Sequence, residues 1–221
     1  MPNWTTNELK FKKRKDFDAF VQKYTDGMDF DFNKVIKRPE DLNDTIAGGN
    51  IMSCVAYYLF DTIALICSSN DKIATFGELK KMKYNPSFIN EEMSITEIKK
   101  ALSERCWGLR MFDSENITGA RKEYTINEIG EYYYRLYKKY GYMDWYEWSC
   151  DNWGTKWNAT STNINNTQMI ITFDTAWSCP SGIYRKIAED NPDWDIKIAL
   201  FYEDGDKYKE SIKDGKYIEA G

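Results

Sequence analysis

The chain has 221 residues, of which 42% are hydrophobic and 16% aromatic, so it is long and apolar enough to bury the core of an ordinary globular protein. Its formal net charge of −5 argues against nucleic-acid binding by overall attraction. Histidine is absent, which excludes Ser-His-Asp, Cys-His and zinc-histidine chemistry.

The cysteines and the missing motifs indicate a cytoplasmic protein without a cofactor. The five cysteines are scattered and form no CxxC pair, which predicts neither a disulfide framework nor a thiolate metal site. The N terminus lacks the basic and then apolar pattern of a secretion signal. No GxxxxGK[ST], GxGxxG or EF-hand spacing occurs. We therefore expect no cofactor, no metal ligands and no catalytic residues.

The first forty residues predict the opening elements of an α+β sheet. Asn7 to Phe11 is typical of a strand, and Asp16 to Tyr24 carries apolar residues at helical spacing. Between them, Lys12 to Lys15 form a short basic run, which is either a solvated strand end or a contact for phosphate. Phe30 to Ile36 alternates in the manner of a further strand.

The most apolar stretch of the chain runs from Ile51 to Cys67, after a break at Gly48-Gly49. It is shorter than the roughly 20 residues of a membrane span and carries Asp61 at its middle, so we predict a buried helix and no membrane segment. Asp61 must then find a donor or face solvent, because an unpaired buried carboxylate is costly. A functional acid at this position is the alternative.

Two more helices are predicted after this stretch, over Phe76 to Lys83 and over Ser94 to Met111. The second one begins with a capping box, in which Ser94 and Glu97 satisfy each other's backbone donors. We interpret residues 48–115 as a helical insertion within a single domain spanning 1–221, because no Pro- or Ser-rich linker bounds the insertion.

A tyrosine-rich helix is predicted from Tyr124 to Tyr140. Its tyrosines are more than one helix face can turn inward. In one interpretation they brace the core. In the other, those left outside form an aromatic surface with an acidic rim for a partner protein. The candidate binding residues are Tyr132, Tyr134, Tyr140, Glu131 and Asp144.

The segment from Tyr142 to Ser178 holds five of the eight tryptophans and organises the fold prediction. Alternation over Trp145 to Cys150 predicts a strand, and a turn follows at Gly154. Each tryptophan can bury roughly 150–250 Å², so the cluster forms either a core or an aromatic surface, and we predict a core. The predicted core tryptophans are Trp145, Trp148, Trp153, Trp157 and Trp177.

The rest of the chain completes a pattern of strand, helix and strand. Thr160 to Thr167 is typical of a loop, and Gln168 to Asp174 of a buried strand. A short helix is predicted from Ser181 to Asn191, followed by a strand over Asp195 to Phe201. The turn signal at Asp214-Gly215 predicts a final hairpin. These elements have the size of half an α+β sandwich.

Two motifs of the tryptophan-rich segment resemble a known family. WYEWSCDNWGTKWNA, followed by FDTAWS and a proline, is similar to the signature of the YubB-like proteins of phages and plasmids, and so are the opening MPNW and the later FDFNKVI. The resemblance implies an α+β fold, with a ferredoxin-like antiparallel sheet, helices on one face and residues 142–203 as the ferredoxin-like C-terminal half. The sequence departs from the family at Thr5, where cysteine is usual, and at Tyr142-Met143, where histidine is usual. Roles of that cysteine and histidine therefore do not carry over.

Together these observations favour a non-enzymatic protein of a mobile element that binds a host protein in the bacterial cytoplasm. The specific role to test first is counter-defence, such as inhibition of a CRISPR system. One alternative is a binding module for nucleotides or single-stranded nucleic acid, whose bases stack on aromatic side chains of the sheet. The other alternative is a metal-assisted hydrolase that uses carboxylates alone. Its candidate acids are Asp144, Glu147, Asp151 and Asp174.

Overall fold

The computed structural model describes residues 3–64, 69–106 and 124–219. The last part of the predicted insertion, residues 107–115, falls outside these ranges. In chain order the helices and strands of the described ranges are β1 (Trp4–Phe11), α1 (Arg14–Tyr24), β2 (Thr25–Asp26), β3 (Asp29–Phe30), α2 (Gly49–Ile63), α3 (Ser69–Lys81), α4 (Ile95–Ser103), α5 (Ile126–Tyr140), α6 (Trp145–Trp153), β4 (Thr160–Asn165), β5 (Ile170–Ala176), α7 (Ser181–Asp190), β6 (Ile196–Tyr202), β7 (Lys207–Lys213) and β8 (Lys216–Ile218).

Contacts between Cα atoms divide the chain into two compact units. The sheet unit combines residues 1–43 with residues 145–221, and the helical unit is the continuous segment 44–144. All strands of the described ranges belong to the sheet unit, whereas the helical unit contains α2 to α5. The sheet is therefore assembled from the two ends of the chain.

The sheet unit is an α+β fold with ferredoxin-like topology. Its main sheet has the strand order β4-β5-β1-β6-β7-β8, and every described pair in it is antiparallel. Four of these strands and two helices give the sheet unit its connectivity. In chain order they are β1-α1-β4-β5-α7-β6, which is the βαββαβ pattern of a ferredoxin-like domain. The predicted fold class is confirmed, and β1 and α1 supply the first strand and helix of this topology.

Both helices of this topology contact the same face of the sheet. Alternation along β1 turns Asn7 and Phe11 towards that face. Phe17 and Phe20 of α1 contact Phe11 with ring centroids 5.6 and 5.2 Å away. Tyr184 of α7 donates a hydrogen bond to Asn7 Oδ1 at 2.7 Å. The helices thus bury one face of the sheet, and the outward positions of β1 on the other face are exposed or half-buried.

The core beneath the sheet is rich in aromatic rings. Phe30 contacts Phe32 and Phe173 edge-on, with ring centroids 5.1 and 5.0 Å away, and all three rings are fully buried. Trp153 joins them at 5.6 Å from Phe32, and its indole nitrogen donates to the Ile36 carbonyl at 2.9 Å. Edge-to-face pairs of this kind stabilise a core beyond the area that they bury.

The strand predicted over Trp145 to Cys150 is wrong, because these residues open helix α6. The buried positions of α6 are Trp148, Ser149 and Trp153, which lie on one helical face, and the rings of the two tryptophans meet edge-on at 5.6 Å. The alternation argument failed because large side chains occupy nearly every position of this segment, so alternation could not tell which side is buried.

Two shorter predictions also fail. Within Phe30 to Ile36 only the first residue is in a strand, and residues 32–34 form a 3-10 turn because the Asp31 side chain accepts from the backbone of Asn33 at 2.9 Å. The predicted loop Thr160 to Thr167 instead contains strand β4, which pairs with β5. Its polar composition fits its position at the edge of the sheet, where one side of the strand faces solvent.

The remaining strands and helices of the C-terminal part follow the predictions closely. Helix α7 and strands β5 and β6 lie within two residues of their predicted bounds. The final hairpin is formed by β7 and β8, and its turn residues Asp214 and Gly215 have φ angles of 51° and 71°. Two successive positive φ angles are the geometry that tight hairpin turns require, which explains the Asp-Gly signal.

The helical unit is built around α2, and no helix of the described ranges is long and apolar enough to cross a membrane. Ala56 and Phe60 of α2 contact Leu79 of α3 and both Ile98 and Leu102 of α4 in one buried cluster. The predicted buried helix is confirmed over the described residues, and its predicted end, at residues 65–67, lies outside them.

Capping boxes begin both α4 and α5. Ser94 and Glu97 form the predicted box, and Thr125 and Glu128 form a second one. Helix α4 ends at Ser103, earlier than predicted, and the last predicted residues, 107–111, are outside the described ranges.

Asp61 of α2 finds its partners within the helical unit. Its carboxylate accepts hydrogen bonds from the Lys99 ammonium of α4 and from the Asn127 amide of α5. The hydrogen bonds from Lys99 and Asn127 lower the pKa of Asp61. These contacts tie three helices together and supply the donors that the sequence analysis expected for this carboxylate.

Candidate binding surfaces

The surface predicted on α5 is only partly present. Glu131 is exposed, but Asp144 is buried, with 6% of its surface accessible, so its assignment to an acidic rim is wrong. Burial raises the pKa of Tyr133 to about 12, and the charge of Asp144 adds to that shift. The three predicted tyrosines are half-buried: Tyr132, Tyr134 and Tyr140.

Tyr134 already has a partner inside the helical unit. Its hydroxyl donates to Glu78 at 3.1 Å, and the Lys138 ammonium lies 3.5 Å from the same carboxylate oxygen. Burial, followed by this hydrogen bond, raises the pKa of Tyr134 to about 12. The hydroxyl of Tyr134 is therefore engaged within the unit. Of the predicted aromatic and acidic surface, Asp144 is buried and the Tyr134 hydroxyl already has a partner.

The predicted core tryptophans divide into two groups. Trp148 and Trp153 are buried, with 6% and 1% of their surfaces accessible, and Trp145 is half-buried. The core assignment is wrong for Trp157, which is 36% exposed, and for Trp177, which is 55% exposed. Both lie just beyond the elements that bury their neighbours, since α6 ends at residue 153 and β5 ends at residue 176.

The two exposed tryptophans have different surroundings. Trp157 lies 6.1 Å from the ring of Trp4, and the Lys156 ammonium lies 4.4 Å from the Trp157 centroid. Trp177 has a left-handed backbone with φ of 73°, which turns the chain away from the end of β5. Tyr146 is exposed as well, and Lys156 lies 5.8 Å from its ring.

The acids proposed for a hydrolase do not form a metal site. Glu147 and Asp151 are exposed on α6, and Asp174 of β5 accepts a hydrogen bond from Thr6 at 2.7 Å. Asp144 belongs to the helical unit, whereas the other three belong to the sheet unit. Over the ranges that the structure describes, no group of three or more Cys, Asp or Glu could hold a metal ion.

The face of the sheet opposite α1 and α7 gathers basic residues from three strands; we refer to it as the open face. The register pairs Lys10 with Lys197 and Glu8 with Ala199 on β1 and β6. On the far side of β6, Ala199 is paired with a lysine of β7, and so is Phe201. Outward positions alternate along each strand. Over the residues that pair β1, β6 and β7, one face therefore carries the following lysines: Lys10, Lys197, Lys207 and Lys209.

These four lysines form no salt bridge with any described residue. Lys207 lies instead 5.7 Å from the ring of Phe201, which is 37% exposed. The neighbouring Lys12 differs, because it pairs with Asp195 at 2.9 Å. The open face therefore combines unneutralised positive charge with an accessible aromatic ring.

A shallow trough of about 810 Å³ lies on the open face. Its lining includes Ala199 and four lysines, together with three acids. The lysines are Lys10, Lys12, Lys197 and Lys209, and the acids are Glu8, Asp195 and Glu210. A small apolar residue between long basic side chains leaves room for a flat group that carries negative charge. Grooves of this composition bind the backbone and stacked bases of single strands in other proteins.

The basic run at residues 12–15 contributes Lys12 to the lining of the trough. Besides the pair formed by Lys12, the Arg14 guanidinium lies 3.4 Å from Asp18 and donates to the Asn166 carbonyl at 2.6 Å. The Lys13 ammonium donates to the Asp193 carbonyl at 3.5 Å. Three of the four cations thus have local partners, as expected for a solvated strand end.

The match to a family model agrees with the ferredoxin-like fold of the C-terminal part. No curated protein matches the chain. Among solved structures, the chain is similar to the crystal structure of the protein api92 from Yersinia pseudotuberculosis, with 9% identity, a TM-score of 0.42 and coverage of 100% of this chain and 98% of that chain. Residues 156–221, which include β4 to β8 and α7, match the family model described as the ferredoxin-like domain in Api92-like protein.

Proposed function

We propose that the protein acts by binding rather than by turnover, and that the open face binds single-stranded nucleic acid. The observation that carries this proposal is the set of four lysines on one sheet face without an acidic partner among the described residues. In a chain with a net charge of −5, such a set marks a local site for an anion rather than a general attraction to polymers.

The chemistry of the open face suits a single strand better than a duplex. Lysines on β1, β6 and β7 reach phosphates along a flexible backbone, while Phe201 offers a ring on which one base stacks. A duplex hides the faces of its bases, so the ring would add nothing to its affinity. We therefore expect binding that depends on salt and discriminates against duplexes.

Fluorescence anisotropy with labelled single-stranded DNA, single-stranded RNA and duplex DNA tests the proposal across roughly 50 to 200 mM salt. For single strands the slope of log affinity against log salt is about −0.7 for each neutralised phosphate. Replacing both Lys10 and Lys197 with Gln should reduce the magnitude of that slope by about 1.4. The matched control is Lys186→Gln on α7, whose ammonium pairs with Asp190 at 2.6 Å on the helical side of the unit.

Phe201→Ala separates stacking from charge. It should weaken single-strand binding by about 5- to 150-fold, the loss of one stacked base, and leave the salt slope unchanged. Tyr208→Ala is the control, because this exposed ring lies on the next strand at a position that alternates to the opposite side. The proposal fails if no oligonucleotide binds saturably at the lowest salt, or if the variants of the open face bind as the parent does.

A second candidate function, binding of a host protein, is favoured by the exposed aromatic residues of the sheet unit. Trp177, Trp157 and Tyr146 are accessible, and rings of this kind are enriched where proteins meet. This second proposal includes two further expectations: that the protein is related to the YubB-like proteins of phages and plasmids, and that its binding serves counter-defence.

A photoreactive amino acid in place of Trp177, used in living cells, would identify the host partner. Calorimetry with the purified partner should then saturate at equimolar protein, with the partner chemically unaltered, and Trp177→Ala should weaken the complex. If a trace of the protein modified an excess of partner or nucleotide, the carboxylate hydrolase would replace both binding functions.

A further inference from the structure

A second recess in the sheet unit lies beside the tryptophan-rich segment. It has a volume of about 270 Å³ and is lined by three tryptophans, three asparagines and one arginine. Among the described residues that line it there is no acid. The ring-bearing side chains are Trp145, Trp153 and Trp157, and the cation is Arg38.

The Arg38 guanidinium is held in place from three sides. Its Nε donates to Asn43 Oδ1 at 2.7 Å, and its Nη1 donates to Ser149 Oγ at 3.1 Å. The guanidinium carbon lies 5.1 Å from the ring centroid of Trp153. Ser149 and Trp153 are themselves buried, and the indole nitrogen of Trp153 is fixed by the Ile36 carbonyl. The cation is therefore oriented before any ligand arrives.

All of these partners are neutral. Burial lowers the pKa of Arg38, although a guanidinium stays protonated in proteins. No carboxylate of the described chain forms a salt bridge with it. A partly buried cation without a counter-charge is unfavourable unless an anion completes it.

Two donors at this recess remain available. Within the described chain Nη2 of Arg38 donates to no protein atom. Because arginine only donates, the Asn43 atom that faces it must be the oxygen, which turns the Asn43 amide nitrogen elsewhere, and that nitrogen likewise has no described acceptor. A guanidinium and an amide nitrogen together suit the oxygens of a phosphate or a carboxylate.

We propose that this recess, the Arg38 pocket, binds a small compound that joins a planar aromatic ring to an anionic group. The anion contacts Arg38 and Asn43, and the ring lies against the indoles of Trp145 and Trp157, the latter being 36% exposed. None of the four open-face lysines lines this pocket, so the inference does not rest on single-strand binding.

Calorimetry and tryptophan fluorescence with four probes test the ligand chemistry. The probes are adenosine monophosphate, adenosine, an aromatic carboxylate such as indole-3-carboxylate, and inorganic phosphate. A compound with both ring and anion should bind about 10- to 150-fold more tightly than adenosine or phosphate alone, because a charge-assisted contact adds to stacking. Preference for the monophosphate identifies a nucleotide-type ligand, and preference for the carboxylate identifies an aromatic acid.

Arg38→Gln should reduce the affinity of the preferred probe by about 10- to 150-fold. Arg185→Gln is the matched control, because this exposed arginine on α7 pairs with Glu219 and should leave binding unchanged. Since Arg38 also packs on Trp153, Asn43→Ala is the second variant. It removes an exposed side chain, should weaken binding and should keep the parent melting temperature.

The inference is overturned if neither the monophosphate nor the carboxylate saturates the protein by about 1 mM, or if folded Arg38→Gln binds like the parent. In either case Arg38 would serve only to pack against Trp153. Loss of probe binding in Arg38→Gln with unchanged oligonucleotide affinity would distinguish this pocket from the open face.

Discussion

In the helical unit the Asp61 carboxylate receives hydrogen bonds from Lys99 and Asn127, so this charge is balanced by the helices that surround it. In the sheet unit Arg38 has only neutral partners, and the four lysines of the open face have no described salt bridge. Balanced charges hold elements together, whereas charges without a counter-charge remain available to a ligand. This contrast is why the sheet unit carries both binding proposals.

One buried polar network of the sheet unit sharpens the contrast because its members are neutral. The Asn7 amide nitrogen donates to the Thr5 carbonyl and to the Thr175 hydroxyl, both at 2.9 Å, and its oxygen accepts from Tyr184. Tyr184 is fully buried, and burial raises its pKa well above the ordinary value. This network links β1, β5 and α7 without a formal charge, and the buried carboxylate of Asp16 is not part of it.

The largest expected effect comes from removing the ring beneath Arg38. Trp153→Ala deletes a fully buried indole that contacts Phe32, Trp148 and the guanidinium. It should lower the free energy of unfolding by about 3–5 kcal/mol, measured by urea denaturation. It should also release Arg38, so binding at the Arg38 pocket should be lost in whatever fraction remains folded.

Trp157→Ala is the control for that change, because Trp157 is 36% exposed and is packed mainly against Trp4. We expect it to cost about 1 kcal/mol, the value of one aromatic pair. Equal destabilisation by the two variants would mean that the buried and exposed tryptophans have been assigned wrongly.

In the helical unit the position most sensitive to substitution is Gly130, where the backbones of α2 and α5 lie close together. A Cβ on Gly130 of α5 would collide with the Cys54 carbonyl of α2 and lie 2.6 Å from Tyr58 Cβ. Gly130→Ala should therefore force α2 and α5 apart at a cost of about 2 kcal/mol or more, measured by thermal and urea unfolding.

Gly77→Ala provides the opposite expectation. No atom lies within 4 Å of a Cβ built on Gly77, which is exposed within α3. Alanine there should stabilise the protein by about 0.5–1 kcal/mol through its higher helix propensity. If Gly130→Ala behaved like Gly77→Ala, the tight contact between α2 and α5 would not exist in solution.

The sequence predicts the helical unit better in its details because the determining interactions are local. The Ser94 capping box spans four residues, and the burial of α2 follows from a continuous apolar run. Local reasoning could not identify the hydrogen-bond partners of Asp61, because Lys99 and Asn127 are distant from it in the chain. A carboxylate in an apolar helix indicates that hydrogen-bond partners are needed, but it does not indicate which residues they are.

In the sheet unit the errors of the sequence prediction occur where long-range packing determines secondary structure and burial. A helical signal for α6 was available, because positions 145, 148, 149, 152 and 153 fall on one helical face and all are buried or half-buried. Alternation of large residues obscured it. The exposure of Trp157 and Trp177 and the role of Arg38 could not be predicted, because they depend on where α6 and β5 end and on contacts between the two ends of the chain.

The smallest expected effect tests the balanced charge of the helical unit through its dependence on pH. Hydrogen bonds from Lys99 and then Asn127 lower the pKa of Asp61 in the folded protein. A carboxylate of this kind contributes stability above its unfolded pKa, and the contribution disappears as pH falls through the folded pKa. Asp61→Asn should therefore be less stable than the parent by about 0.2–1 kcal/mol near neutral pH, a modest value because the Asp61 side chain is 33% exposed.

The difference between parent and variant should shrink as the pH is lowered below the ordinary pKa of an aspartate and through the lowered pKa of Asp61, when urea denaturation is repeated at each pH. Lys99→Gln should reduce the same pH dependence, and the double variant should cost less than the sum of the single changes, because both remove one ion pair. A gap between parent and Asp61→Asn that stayed constant from neutral to acidic pH would contradict the ion pair. Asp61 would then act only through its neutral hydrogen bond with Asn127, and the contrast between balanced and available charges would rest on the sheet unit alone.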